Sequence, residues 1–259
     1  MIDSHAHIND EKLYTNYKEI INNAKLAGVN KIVIPGWNVE SSKLAIKIAH
    51  EFEGVYAAVG VHAQNVSDET LDSIKTIEEL AKDPKVVCIG EIGIDYHYTK
   101  DDKDIQIEFF KRQLDLAVKL NLPCEIHLRD ATGDFMDIIR DYVKINGVFK
   151  NKPIMHSFSE SKEIMKELIR YGFYISLSGP VTFKNARVQK EVASVVPVDK
   201  LLTETDSPYM APTPLRGTMN EPKNIPYILE EISNLKNMDK NELERIIDNN
   251  FNIVFNVGD

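Results

Sequence analysis

Short apolar runs alternate along this chain with longer amphipathic ones. The short runs predict strands at 2–7, 31–36, 55–62, 86–95, 123–129, 153–158, 173–178 and 201–206. Between them the apolar residues shift to helical spacing. Ile107, Phe110, Leu114, Ala117 and Val118 mark one such face, and Phe135, Ile138, Ile139, Tyr142 and Val143 another. Gly28 follows a helical run and suits the residue just past a helix C-cap. Toward the end, 224–255 reads as two helices, beginning near Pro226 and Asp239. Eight strands, each followed by helical sequence, predict a (β/α)8 TIM barrel, a fold of about 250 residues. A doubly wound open sheet has the same alternation and is the rival on pattern alone. No Gly/Ser linker, charge block or low-complexity tract divides the chain, so residues 1–259 are expected to form a single domain.

Composition narrows the class. A chain of 259 residues buries enough surface to fold without a disulfide or a metal. Hydrophobic residues at 43% and charged residues at 27% exclude disorder. Two cysteines exclude a disulfide scaffold and fit a reducing cytoplasm. Lys+Arg 31 against Asp+Glu 40 leave a net charge of −9, which argues against a general nucleic-acid or membrane coat but leaves room for a local groove. The opening residues lack the basic and apolar regions of a signal peptide. No apolar run nears the ~18 residues of a membrane span. The expectation is a cytoplasmic protein without a membrane partner, most simply a monomer.

Candidate chemistry sits where the strands end: His5 and His7, His62, Glu91 and Asp95, His127, His156, and Asp206. Side chains alternate along a strand, so His5 and His7 share a face, with Asp3 below them. Ile89, Glu91 and Asp95 share another. Glu125, His127 and Arg129 point into the barrel, while Cys124, Ile126 and Leu128 face the helices. Glu204 and Asp206 share a face above Leu202. Active sites of this fold lie at the C-terminal ends of the strands. Imidazole and carboxylate together suit zinc and similar divalent ions. The bland alternative is a set of mutually hydrogen-bonded polar plugs. It is poor for several close histidines, because burial disfavours their charge and leaves donors unpaired.

These residues resemble the TatD family of metal-dependent hydrolases, within the amidohydrolase-like barrels. The matching strings are Asp3-Ser4-His5-Ala6-His7, Gly90-Glu91-Ile92-Gly93-Ile94-Asp95-Tyr96, Ile126-His127-Leu128-Arg129, His156-Ser157-Phe158-Ser159, Thr203-Glu204-Thr205-Asp206-Ser207-Pro208-Tyr209, and Arg216-Gly217 followed by Asn220-Glu221-Pro222. They cover nearly the whole chain in family order. The resemblance implies two divalent ions. His5, His7, Glu91 and Asp206 would hold the first; Glu91, His127 and His156 the second, with Glu91 bridging. Zn, Mn and Mg are the candidate ions, and histidine-rich donors lean toward the first two. It also implies a deoxyribonuclease acting on DNA or short oligonucleotides, with Glu91 and Asp206 as catalytic residues. Asp206 is expected to accept the proton of an activated water.

The chain departs from the family pattern in places. Gly-x-His-Pro-His is replaced by Gly60-Val61-His62-Ala63-Gln64, Glu160 stands where a glycine is common, and Thr218 and Met219 replace basic residues. His62, Arg129 and Arg216 are the expected substrate contacts, against readings as a plain strand-end residue, a partner of Glu125 or Asp130, and a solvated loop charge. Glu125 pairs either with Arg129 or with a ligand histidine. Tyr96 and His97 line the mouth or sit on the surface. Trp37 packs under its loop or stacks on a base. Cys88 and Cys124 read as inert core, and His50 as an ordinary helix residue. Two other functions remain open on sequence: an amidohydrolase-type enzyme cleaving a C–N or carboxylic ester bond, and a non-enzymatic metal-binding partner protein.

Overall fold

The computed structural model describes residues 1–98 and 102–258. Eight parallel strands follow in chain order: β1 Ile2–Asp3, β2 Lys31–Pro35, β3 Val55–Val59, β4 Val86–Asp95, β5 Cys124–Arg129, β6 Ile154–Met155, β7 Tyr174–Leu177 and β8 Leu201–Thr203. Each pairs with the next. The ring closes just beyond β1 and β8, where Ser4 N donates to Thr203 O (3.0 Å), Asp206 N to His5 O (2.9 Å) and His7 N to Ser207 O (2.8 Å). The fold is therefore the (β/α)8 barrel, not the open sheet. Its seam is formed by the same segments that carry His5, His7 and Asp206.

The helices are α1 Glu11–Tyr14, α2 Tyr17–Leu26, α3 Val39–Glu51, α4 Ser73–Leu80, α5 Lys103–Leu120, α6 Thr132–Asn146, α7 Lys162–Arg170, α8 Arg187–Val195, α9 Ile225–Lys236 and α10 Lys240–Phe255. Their apolar stripes cover the outer face of the barrel, and Phe109, Phe110, Phe135, Phe173 and Phe251 are fully buried. Gly28 sits two residues past α2 at φ 87°, as its position after a helical run predicts. Asp239 caps α10 by accepting from Glu242 N. No helix among the described residues is long and apolar enough to cross a membrane.

Most strands are shorter than the alternation predicts, and the larger losses are at the C-terminal end. Past Asp3, Val59, Met155 and Thr203 the chain leaves the ladder while its side chains still converge. Ser157 and Asp206 take positive φ, 43° and 55°. β4 runs the full predicted length, Val86–Asp95. Its pairing with β5 shifts between Ile89 and Ile92. That irregularity sits beside Glu91 and helps aim it inward.

Two buried glutamines on α5 fix the mouth from behind. Gln113 accepts from Val61 N (2.8 Å) and donates to Val61 O (2.9 Å). Gln106 does the same to Asp95 N (2.9 Å) and Asp95 O (3.0 Å). Both stand on the apolar stripe of the helix, where a polar side chain survives only if its hydrogen bonds are satisfied.

Candidate metal centre

Glu91 stands at the middle of the mouth. Its Oε2 lies 3.6 Å from His5 Nε2 and 3.4 Å from His7 Nε2. The same two nitrogens are 3.9 and 3.7 Å from Asp206 Oδ1. The other oxygen, Oε1, lies 3.1 Å from His127 Nδ1, 3.2 Å from His156 Nε2 and 3.4 Å from His62 Nε2. One carboxylate thus faces two donor groups, one through each oxygen. His5 Nε2 and His7 Nε2 are 3.1 Å apart. Two nitrogens bound at 2.0–2.1 Å to one tetrahedral ion stand about 3.4 Å apart, so this spacing fits shared ligation. The six residues expected as ligands, His5, His7, Glu91, His127, His156 and Asp206, are all brought together. The donor set fits divalent ions, and it is rich in nitrogen.

Behind the histidines stand carboxylates. Asp95 Oδ2 meets His127 Nε2 at 3.2 Å, and Gln64 Nε2 donates to that same oxygen at 2.8 Å. Glu204 Oε1 meets His156 Nδ1 at 3.1 Å and accepts from Ser157 N at 2.6 Å. Glu125 Oε2 is 3.3 Å from His5 Nδ1, so Glu125 faces a ligand histidine and not Arg129. A carboxylate on the far nitrogen fixes a ring's tautomer and raises its basicity toward a metal. Asp3, below, accepts from Thr205 N (2.9 Å) and Thr205 Oγ1 (2.6 Å) and so holds the turn that presents Asp206.

His62 differs from the others. Its Nδ1 accepts from Gln64 N at 3.1 Å. In the neutral ring Nε2 then carries the proton and is a donor. His62 is therefore set to donate into the site. Burial opposes charge on His127 and His156, but Asp95 and Glu91 around the first and Glu204 and Glu91 around the second outweigh it and raise the pKa of both rings, so each must give up a proton before it offers a lone pair there.

Burial, then neighbouring His156, drives the His5 pKa well below its usual range. Burial takes His7 to about 4. Both are neutral near pH 7, the form that ligates a metal. Burial opposes ionisation of Glu91, but the charge of His62 and His156 outweighs it, and its carboxyl is held well below the ordinary range. Burial raises Asp206 to about 7 and Asp3 to about 8. A divalent charge would favour the ionised form of each acid in the site.

The mouth opens into a cavity of about 930 Å³ whose lining includes His62, Arg129, Trp37, Tyr98 and Tyr209. Two of the three expected substrate contacts, His62 and Arg129, are there. Arg216 is not part of the lining; its guanidinium lies 4.1 Å over the Phe183 ring, on an exposed loop. Arg129 lies over the Tyr98 ring at 5.1 Å. Trp37 is at the mouth, its ring 5.6 Å from that of His7. Tyr96 donates to Asp134 on α6 (2.8 Å) and His97 pairs with Asp130 (2.9 Å); neither lines the cavity. Cys88 and Cys124 are buried, which pushes both thiols up and leaves them inert. His50 pairs with Asp83 on the surface.

The sequence pattern placed Asp95 and Glu204 without roles, left Glu125 between Arg129 and a ligand histidine, marked Gln64 only as a departure from the family pattern, and gave no notice of Gln106 and Gln113. The glutamines left one signal: Gln106 and Gln113 are seven residues apart, within an otherwise apolar helical stripe.

The family model described as TatD related DNase matches residues 2–256. The chain is 41% identical over 257 residues to an uncharacterized metal-dependent hydrolase of Bacillus subtilis (strain 168), YabD, covering 99% of both. It is 33% identical over 260 residues to YcfH of Escherichia coli (strain K12), also described as an uncharacterized metal-dependent hydrolase, covering 99% of this chain and 96% of that one. Among solved structures, YJJV, a TatD homologue from Escherichia coli K12, superposes with a TM-score of 0.92 at 25% identity, covering 100% and 98% of the two chains. The chain thus belongs to the TatD related DNase family and is one of its metal-dependent hydrolases.

Proposed function

We propose that the protein hydrolyses phosphodiesters in DNA or short oligonucleotides, using two divalent ions held by His5, His7, Glu91 and Asp206 on one side and Glu91, His127 and His156 on the other. The observation that carries this reading is Glu91, which turns one oxygen to each donor group. Paired divalent ions, when bound, stabilise the charge of in-line displacement at phosphorus and acidify water.

The chain's own residues do the rest. Asp206 receives the proton of the attacking water. Its position beside His5 and His7 places it next to where that water would be held. His62 Nε2–H donates to a phosphate oxygen, a direction fixed by its bond from Gln64 N. Arg129, on the cavity wall, takes a non-bridging phosphate oxygen pair. Asp95 and Glu204 hold the rings of His127 and His156 in place, and Glu125 stands 3.3 Å behind His5, so the geometry is set before substrate arrives. The departure at Gln64 costs the family's second histidine but supplies an amide that fixes Asp95.

The test is a substrate panel with the protein loaded with Zn²⁺, Mn²⁺ or Mg²⁺ in turn. A single-stranded oligonucleotide, bis(p-nitrophenyl) phosphate, carboxylic esters and simple amides would be offered. Cleavage of the phosphodiesters, abolished by a chelator, is the expected result. Turnover of only esters or amides would establish the amidohydrolase-type alternative. Loaded protein inert on every class would point to a binding role.

A further inference from the structure

A second cavity, of about 530 Å³, lies on the other side of Trp37. Trp37 lines both cavities, so this one lies next to the metal centre. The wall is built from the loop after β2 and the first turns of α3: Asn38, Glu40, Ser41, Lys43, Leu44 and Lys47. The size is that of a small-ligand site.

Lys43 and Lys47 are four residues apart, so they stand on one face of α3. Lys43 is held by Glu40 at 2.6 Å. Lys47 is exposed and makes no salt bridge among the described residues. Asn9 is also in the lining, and it is buried. Its amide donates to Pro35 O (2.9 Å) and Ser41 O (3.1 Å), and its Oδ1 has no hydrogen-bond partner. Trp37 is itself fixed: its N–H donates to Ser41 Oγ (2.8 Å) and its carbonyl accepts from His62 N (2.9 Å). An aromatic residue and a cation without a salt bridge thus stand together, and the backbone of the aromatic is bonded to that of His62, which donates into the metal centre. Arg129 ends β5, three strands round the barrel from β2. A polyanion lying across the mouth from Arg129 therefore passes Glu91 before it reaches Trp37.

We propose that this cavity is a nucleotide subsite, which seats the nucleotide beside the one attached to the scissile phosphate. The base stacks on Trp37, a contact every base can make. The backbone phosphate lies against Lys47 and Lys43. The subsite rests on the phosphodiesterase reading, but it can be tested by binding alone.

Trp37 is the single tryptophan of the chain, so its fluorescence reports on this position only. The probes are thymidine 5′-monophosphate and a phosphorothioate-linked thymidine dinucleotide carrying a 5′-phosphate, titrated into the Mn²⁺-loaded protein. The dinucleotide is expected to quench the indole. Lys43→Ala/Lys47→Ala is expected to weaken its binding at least about fivefold while changing that of the mononucleotide less than twofold. In turnover, the ratio of kcat/KM for oligonucleotide to that for bis(p-nitrophenyl) phosphate is expected to fall by a similar factor in Trp37→Ala and to recover in Trp37→Phe. Equal effects on both probes, or none, would overturn the subsite and leave the phosphodiesterase reading standing. Lysine-dependent dinucleotide binding by a protein that cleaves no phosphodiester would keep the subsite and refute that reading.

Discussion

Single atoms decide how each histidine is used. His127 turns Nδ1 inward and gives Nε2 to Asp95, while His156 turns Nε2 inward and gives Nδ1 to Glu204. Removing either far carboxylate frees the ring without touching a ligand. Glu204→Gln is therefore expected to lower metal affinity or activity about 10–100-fold at nearly unchanged thermal stability, read by metal titration and by calorimetry. Wild-type affinity in that variant would show that Glu204 only fills space. His62 makes the opposite prediction. Because its Nδ1 accepts from Gln64 N, His62→Ala is expected to keep the full ion content and raise KM for a phosphodiester. A lost ion, by elemental analysis, would make His62 a ligand. The clustering of the six residues expected as ligands was legible in the sequence, because strand alternation and matched motifs both point at them. Their supporting carboxylates were visible only as residues on a shared face, since which ring each one reaches depends on how the chain bends past the strand ends.

At the scale of elements, the barrel's ladders stop early and the loops do the aiming. Alternation predicted a strand at 201–206, yet β8 ends at Thr203 and Asp206 is presented at φ 55°. The pattern could not show this, because apolar and polar positions go on alternating after the hydrogen bonds have stopped. β4 was read at full length because it stays in the ladder up to Asp95. Within it, Gly93 takes φ 150°, and a Cβ there would overlap the carbonyl oxygen of His127 on β5. Gly93→Ala must then push the two strands apart beside both Glu91 and His127. It is expected to cost more than about 1 kcal/mol in urea unfolding and to weaken metal binding. Wild-type stability with intact metal binding would mean that the strands yield freely at that point. Gln106 and Gln113 show the same economy on α5, each closing both backbone groups of one mouth residue.

For the whole molecule, the net charge of −9 sets how a nucleic acid can be held. So acidic a chain is not suited to coating DNA, and under the proposed function the attraction would come from bound ions and a few placed cations. With Arg129, Lys43 and Lys47 as the phosphate contacts, log affinity for a single strand should fall against log salt with a slope of about −2. A slope of about −5 or steeper, from binding titrations across salt, would require a basic surface that these positions do not provide. The barrel was legible from eight alternating units, and the contest with an open sheet was settled by the seam between β1 and β8, whose hydrogen bonds no sequence pattern announces. That seam joins His5 and His7 to Asp206, so closing the barrel also brings together one of the residue groups that could hold an ion. The central claim is that Glu91 links two ions that act together on a phosphodiester. The most direct measurement is to strip the protein with a chelator, return Mn²⁺ in measured equivalents, and follow bis(p-nitrophenyl) phosphate turnover at each step. Turnover that rises with the second equivalent, and is lost with the second binding event in Glu91→Gln, is the predicted result. Full turnover at one equivalent, or at none, would contradict it.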